Sequence, residues 1–301
     1  MSYDRRGRML GAISLPHAEG LEIGALNSPL VRKSESKIRY VDYATTEIVK
    51  ADLISRGIDR YRDMVSIDIV WGGKPLAEVV NGKVDYVIAS HVIEHVPDLI
   101  GWLQELHGVL KPGGTLGLAV PDRNHTFDIR RNDSTPAEMV EAYLLGYKMP
   151  SLRQVFDAAA FSRNGEEKSP WRCDHRKGDV PAEVIDRLPK AFELVKDLAR
   201  NPRYNDAHCW VFTPTSFLDS AEALLSMKLF NFVIADFYPT EAGTNEFQVR
   251  LLAVGPSQTA DIAHSIRMAR RKLKQSENQS RSGLFKARIN RMLSRVFRRA
   301  G

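Results

Sequence analysis

The chain has 301 residues, 43% of them hydrophobic, with 43 Lys/Arg against 37 Asp/Glu for a formal net charge of +6. That is enough apolar material for one large domain or a domain with an elaborate insertion, and no apolar run reaches the length needed to cross a bilayer. The charged opening MSYDRRGRML lacks the apolar stretch of a secretory signal, and two cysteines, Cys173 and Cys209, make no disulfide framework, so a reducing cytoplasm is the expected compartment. The charge is uneven. Residues 262–301 hold 12 Lys/Arg and one Glu, a net of +11, which leaves the other 261 residues at −5.

From residue 18 to about 120, strand and helix patterns alternate. GLEIGAL (20–26) is a short apolar run ending on Gly24. KIRYVDY (37–43) is a second strand, closing on Asp42. MVSIDIVW (64–71) is a third and contains Asp68. KVDYVIAS (83–90) is a fourth, apolar on both faces and ending on Ser90, and GTLGLAV (114–120) is a fifth. Strands of this type belong in a parallel sheet covered by helices. Leu99, Leu103, Leu106 and Leu110 recur at helical spacing, with Pro97 and Asp98 at the helix start and KPGG as its stop. The series is βαβ, hence an α/β, doubly wound sheet.

Residues 122–208 are more polar and mostly helical, with N-terminal capping boxes at Thr135/Glu138 and Ser151/Gln154 and a third helix over about 181–200, interrupted near Pro189. SRNGEEKSP reads as a loop. Thr213 and Pro214 restart an amphipathic helix, and FNFVIADFYP and NEFQVRLLAVG read as an antiparallel strand pair. The expected organisation is a core over 1–121, a helical cap inserted over 122–208 between strand five and the last helix–strand–strand unit, the rest of the core over 209–256, and a tail over 257–301.

Ligands of open α/β sheets sit beyond the carboxyl ends of the strands. Here those ends carry Glu22, Gly24, Asp42, Asp68, Ser90 and His91. EIGALNS keeps one glycine where a dinucleotide fingerprint wants three, which argues against a dehydrogenase. With this order of strand-end residues the sequence resembles the class I S-adenosylmethionine-dependent methyltransferases, in particular the subgroup with a D-x-V-x-x-x-x-x-x-E-H segment, here within VDYVIASHVIEHVPD, followed by LKPGG. The resemblance covers residues 18–121 well and 208–254 more loosely. It implies a seven-stranded, mostly parallel, Rossmann-like sheet and S-adenosyl-L-methionine as cofactor. It also implies that Glu22, Gly24 and Ala25 lie against the methionine part, Asp42 at the ribose, Asp68 at the adenine amine, and Ser90 and His91 near the sulfonium. The looser overall pattern resembles bacterial methyltransferase-domain proteins associated with surface polysaccharide assembly.

The letters His91-x-x-Glu94-His95 also spell a zinc-peptidase pattern, but that chemistry needs both histidines on one helix plus a third ligand. Strand four ends near Ser90 and the next helix starts near Pro97, so the two histidines fall in the connection, and Glu94 and His95 are expected to be structural. Cys173, His175, His208 and Cys209 lack the spacing of a zinc knuckle. No metal site is expected.

A hydroxyl acceptor needs a base for its departing proton. The candidates are His208, His125 and Asp122, which follow strand five or stand where the insertion rejoins the core. The polar insertion points to a polar acceptor, a sugar, glycan or other small molecule. In the tail, residues 284–299 place Phe285, Ile289, Met292, Leu293, Val296 and Phe297 on one helical face and five arginines on the other, beyond a polar linker (274–283). A basic amphipathic helix of this kind fits an anionic membrane surface, at the inner face of the membrane, or a protein partner; nucleic acid is the less favoured ligand. Two alternative readings of the whole chain are an RNA methyltransferase anchored by its tail and a non-catalytic cofactor-binding or scaffold protein.

Overall fold

A computed structural model describes residues 4–162 and 182–297. Seven strands form one sheet: β1 (Glu19–Ile23), β2 (Lys37–Asp42), β3 (Ile69–Val70), β4 (Val84–Ser90), β5 (Leu110–Pro121), β6 (Phe232–Tyr238) and β7 (Glu246–Ala253). Their order is β3-β2-β1-β4-β5-β7-β6, and β7 alone runs antiparallel to its neighbours. This is the doubly wound, mostly parallel, Rossmann-like α/β sheet expected from the strand patterns.

The two-residue period of a strand sorts its side chains onto two faces. In β4, Val87 and Ala89 join the larger core, which is closed by α3 (Leu76–Val79), α4 (Leu99–Val109), α5 (Pro136–Leu145), α8 (Pro214–Ser226) and the first turns of α9 (Thr259–Phe297). Tyr86 and Ile88 face the other side and pack with Met9 and Leu10 of a short N-terminal helix, α1 (Arg5–Leu10). Gly117 makes that docking feasible. A Cβ there would lie 2.7 Å from the Met9 carbonyl oxygen and 2.9 Å from Met9 Cβ. A further helix, α2 (Thr46–Ser55), buries Val49 and Leu53 against Ala44 and Met64.

Helix starts follow their caps. The Asp98 carboxylate accepts the Gly101 N–H at α4, and both expected capping boxes form at α5 and at α6 (Leu152–Phe161). Four expectations are corrected. The third strand shrinks to Ile69–Val70, because upstream the Val65 N–H goes to the Leu26 carbonyl and the Ile67 N–H to Thr46 Oγ1 instead of to β2. KPGG lies inside β5 as a bulge between the pairs Val84–Leu110 and Tyr86–Thr115. Helix α7 (Ala182–Arg200) runs through Pro189 without a break, since one lost backbone donor is outweighed by packing of Leu198 and Leu194 with Val155 of α6. The stretch 274–283, read as a linker, is part of α9. Among the described residues no helix is long and apolar enough to cross a membrane. The loop read at SRNGEEKSP and the residues Cys173 and His175 lie outside the described residues, Ser162 excepted.

Candidate active site

The parallel strands deliver Gly24, Ser90 and Pro121 to one edge of the sheet. Because β7 is antiparallel, its first residue, Glu246, arrives at the same edge, paired with Pro121. Above this edge opens a cleft of about 1190 Å³. Its walls include Glu22, Gly24, Ala25, Ser90, His91, His125 and His208 among the expected site residues.

One end of the cleft is built by the turn after β1. Gly24 has φ +66° and Leu26 φ +46°, and the Gly24 N–H is held by the Val41 carbonyl. A side chain at Gly24 would intrude on Val92, with a Cβ 3.2 Å from its Cγ2, so the backbone here is open to a ligand. Glu22 stands behind this turn, 2% exposed, accepting the backbone N–H groups of Leu30 (2.8 Å) and Val31 (3.3 Å). Burial raises its pKa to about 7 despite those two bonds. Asp42 stands at the end of β2, outside the cleft lining. It accepts the Tyr43 N–H, and burial lifts its pKa to about 6. Asp68 is a correction: it precedes β3 rather than following it. Its two oxygens take Lys33 Nζ (2.5 Å) and the Tyr40 N–H (2.9 Å), which ties down the outer strands.

The other end is polar. Arg5 reaches in from α1 and donates to Ser90 Oγ (2.6 Å) and to both oxygens of Glu246 (2.6 and 2.5 Å). His91, with φ +54°, places Nε2 2.7 Å from Glu246 Oε2. Burial works against charge on His91, but the bond to Glu246 and the nearby Glu94 carboxylate outweigh it and lift its pKa to about 9. At neutral pH His91 is therefore an imidazolium and a poor base. As expected, His91 and His95 occupy the connection between β4 and α4.

The segment 207–211 is laid across this connection. The Cys209 and Trp210 N–H groups both donate to the Glu94 carbonyl, and Trp210 Nε1 donates to the Val96 carbonyl at 2.6 Å. His208 is thereby set edge-on to His95, with ring centroids 4.8 Å apart, and Phe127 packs on it at 4.7 Å. Each of these two histidines is anchored from behind. His95 Nδ1 meets Asp206 Oδ1 at 2.8 Å, and His208 Nδ1 meets Asp128 Oδ2 at 2.5 Å. Asp128 is held in turn by the buried Arg131 guanidinium at 2.8 Å. Burial alone would raise the Asp206 carboxyl, but the His95 bond outweighs it and brings its pKa down to about 2. An Nδ1 engaged by a carboxylate leaves Nε2 as the nitrogen available to a ligand.

Asp122, a candidate base, lies outside the cleft lining. It is buried, and its oxygens accept the Asn124 N–H and the Thr240 hydroxyl. His125 stays on the cleft wall, its Nε2 3.8 Å from Asp122. Glu94, expected to be structural, holds segment 207–211 through its main-chain carbonyl, while neither of its side-chain oxygens makes a hydrogen bond. The Cys209 thiol donates to the carbonyls of His95 and Ala207, and burial pushes its pKa to about 12. Arg5, Asp128, Asp206 and Glu246 join the site without any signal in the strand-end pattern. Asp128 and Asp206 stand three residues after His125 and two before His208, the only local signal the sequence offers for them.

A family model described as a methyltransferase domain matches residues 18–224. The chain belongs to this family, and its methyl donor is S-adenosylmethionine. Solved structures it is similar to include an S-adenosylmethionine-dependent methyltransferase from Clostridium acetobutylicum ATCC 824 (10% identity, 79% of this chain and 84% of that chain, TM-score 0.38). Another is from Methanosarcina mazei (15% identity, 84% and 98%, TM-score 0.41). The chain spans about half of a third, the CurJ carbon methyltransferase (11% identity, 79% of this chain and 49% of that one, TM-score 0.37). No curated protein matches the chain. The residues present suit the cofactor: a glycine turn with open backbone, the buried carboxyl of Glu22 behind it for a cationic nucleoside, and a cleft with volume left for an acceptor.

Proposed function

We propose that this protein methylates a hydroxyl oxygen of a polar acceptor, a sugar or glycan unit, received at the His95–His208 end of the cleft. The Gly24–Ser28 turn, braced by Glu22, holds the cofactor, with Ser90 and His91 between it and the acceptor. When bound, the cofactor supplies a methyl group already activated on a sulfonium. The protein's main task is then alignment, which can contribute about 7–11 kcal/mol. The acceptor's proton leaves to an imidazole of the same wall, His125 or His208.

One observation carries this reading: the glycine turn and a cluster of carboxylate-anchored imidazoles share a single cleft. Such a cluster suits an oxygen acceptor, which must lose a proton on methylation. The surface-polysaccharide setting belongs to the same proposal, as does the cytoplasmic membrane face, to which residues 284–299 would hold the enzyme through anionic lipid. Incubation of cell extract with radiolabelled S-adenosylmethionine should place label in glycan. Label confined to RNA or protein would overturn the acceptor assignment. His125→Ala and His208→Ala should lower turnover far more than affinity for S-adenosylhomocysteine; wild-type turnover in both would remove the imidazoles from the chemistry. Vesicle co-sedimentation of the full chain against one ending at Gly255 tests the tail, and equal, negligible binding by both would end the lipid assignment.

A further inference from the structure

We propose that Glu94, His95 and His208 form a binding site for a first-row divalent cation, of the zinc or manganese type, at the acceptor end of the cleft. The sequence alone predicts no metal site, because His91-x-x-Glu94-His95 does not lie on a helix and offers no third ligand. The fold supplies that ligand from elsewhere in the chain. By laying segment 207–211 across the β4–α4 connection, it brings one donor atom from each of the three residues within 4.8 Å of the others.

Three features separate this group from a chance polar cluster. First, the Glu94 carboxylate has 2% of its side chain exposed, and neither oxygen makes a hydrogen bond. Its nearest basic atoms are His91 Nδ1 at 3.4 Å and His95 Nε2 at 4.0 Å, charge contacts without hydrogen-bond alignment. The His91 imidazolium faces this carboxylate on one side, but no aligned donor meets either oxygen, and a bound metal ion would complete it. Secondly, both histidines are prepared as ligands. Asp206 and Asp128 engage Nδ1 of His95 and His208, which is the carboxylate–histidine arrangement that fixes the tautomer and raises the basicity of a metal-binding nitrogen. Thirdly, the carboxylates behind the rings are themselves held, Asp128 by Arg131 and Asp206 by Arg56 at 3.4 Å. Two imidazoles and one carboxylate with open positions suit zinc, manganese or iron(II) better than magnesium or calcium. Metal–ligand bonds of about 2.0–2.2 Å require the donor atoms to close by about an ångström, through small rotations of Glu94 and the two rings on binding.

The role of the cation deepens the proposed reaction and rests on it. The open coordination positions face the cleft, so a hydroxyl, or two adjacent hydroxyls of a sugar, would bind there. Coordination lowers the pKa of a bound hydroxyl. With His208 engaged as a ligand, His125 is left to take the proton. No redox step is involved, and the ion is not consumed.

The test uses the full chain freed of metal by chelation and titrated with zinc or manganese chloride, with bound metal measured by elemental analysis. The expected result is one equivalent per chain. Glu94→Gln and His208→Ala should abolish stoichiometric uptake, while Asp128→Asn, which weakens the support of His208 without removing a ligand, should weaken it about 10–100-fold. His17, exposed and far along the chain, serves as the internal control for a second measurement on the wild type alone: carbethoxylation footprinting by mass spectrometry. Zinc should protect His95 and His208 and leave His17 reactive. Absence of uptake, equal uptake by wild type and Glu94→Gln, or no protection of His95 and His208 overturns the site. S-adenosylhomocysteine calorimetry on the metal-free chain reports separately on the methyltransferase reading. Nucleoside binding without metal uptake defeats the cation site alone, and metal uptake without nucleoside binding defeats the reaction assigned to it.

Discussion

Glu22 is the most heavily buried carboxyl of the cofactor turn, and its removal makes a prediction with a defined sign. In the unfolded chain it ionises near 4.5; in the fold, near 7. Below pH 4.5 it is neutral in both states and costs nothing. Between 4.5 and 7 the folded chain keeps a proton that the unfolded chain releases, so stability falls with each increment of pH. Above 7 the cost levels off at about 3 kcal/mol, from 1.36 kcal/mol per pH unit. Glu22→Gln cannot ionise. Its amide oxygen can still accept the Leu30 N–H, while its NH2 group faces the Val31 N–H and forfeits the longer bond, worth about 1 kcal/mol. Urea unfolding should therefore find the variant within about 1 kcal/mol of wild type at pH 4.5 and about 2 kcal/mol more stable at pH 8. A difference that does not change with pH would refute the reasoning. A functional readout follows from the same carboxyl. A cationic cofactor entering this cleft favours ionised Glu22, so calorimetry near pH 7 in buffers of different ionisation enthalpy should register proton release that Glu22→Gln lacks.

Other predictions address the acceptor end and its supports. Asp128→Asn loses the charge that both His208 and Arg131 meet. It should cost about 1.5–3 kcal/mol in urea unfolding and reduce turnover more than S-adenosylhomocysteine affinity; unchanged turnover would count against His208 in any role. Arg5→Ala removes the two donors to Glu246 and the one to Ser90. It should destabilise the fold by about 1–3 kcal/mol, measurable as a lower urea midpoint with the same slope. Gly117→Ala drives a Cβ into the Met9 backbone and should loosen α1 selectively. Hydrogen exchange should rise in residues 5–11 before it rises in β4, and uniform protection would contradict that packing.

Much of the fold was legible because it rests on local rules. Strands with both faces apolar, capping boxes at Thr135 and Ser151, and Gly24 at the first turn all express constraints that act within a few residues. The placement of His91 and His95 in a connection followed from the same reasoning. The rest was hidden because it depends on partners far apart in sequence. Arg5 enters the cleft only because α1 docks on Gly117, and Glu246 arrives there only because β7 reverses direction. Asp128 and Asp206 look like loop polars until the insertion folds back and sets them behind His208 and His95. Asp68 and Asp122 show the converse. A carboxylate near a strand end suits a ligand equally well as it suits backbone N–H groups, and at both positions hydrogen bonds within the protein had already claimed the oxygens. Pro189 and the 274–283 stretch show local propensity giving way to helix continuity.

The claim on which everything else depends is that one cleft, between the Gly24 turn and the His95–His208 pair, takes the adenosyl cofactor. A crystal structure of the chain with S-adenosylhomocysteine tests it most directly. The sulfur should lie beside Ser90 and His91, pointing towards His208. A nucleoside bound elsewhere on the surface, or a cleft that stays unfilled at saturating ligand, would contradict it.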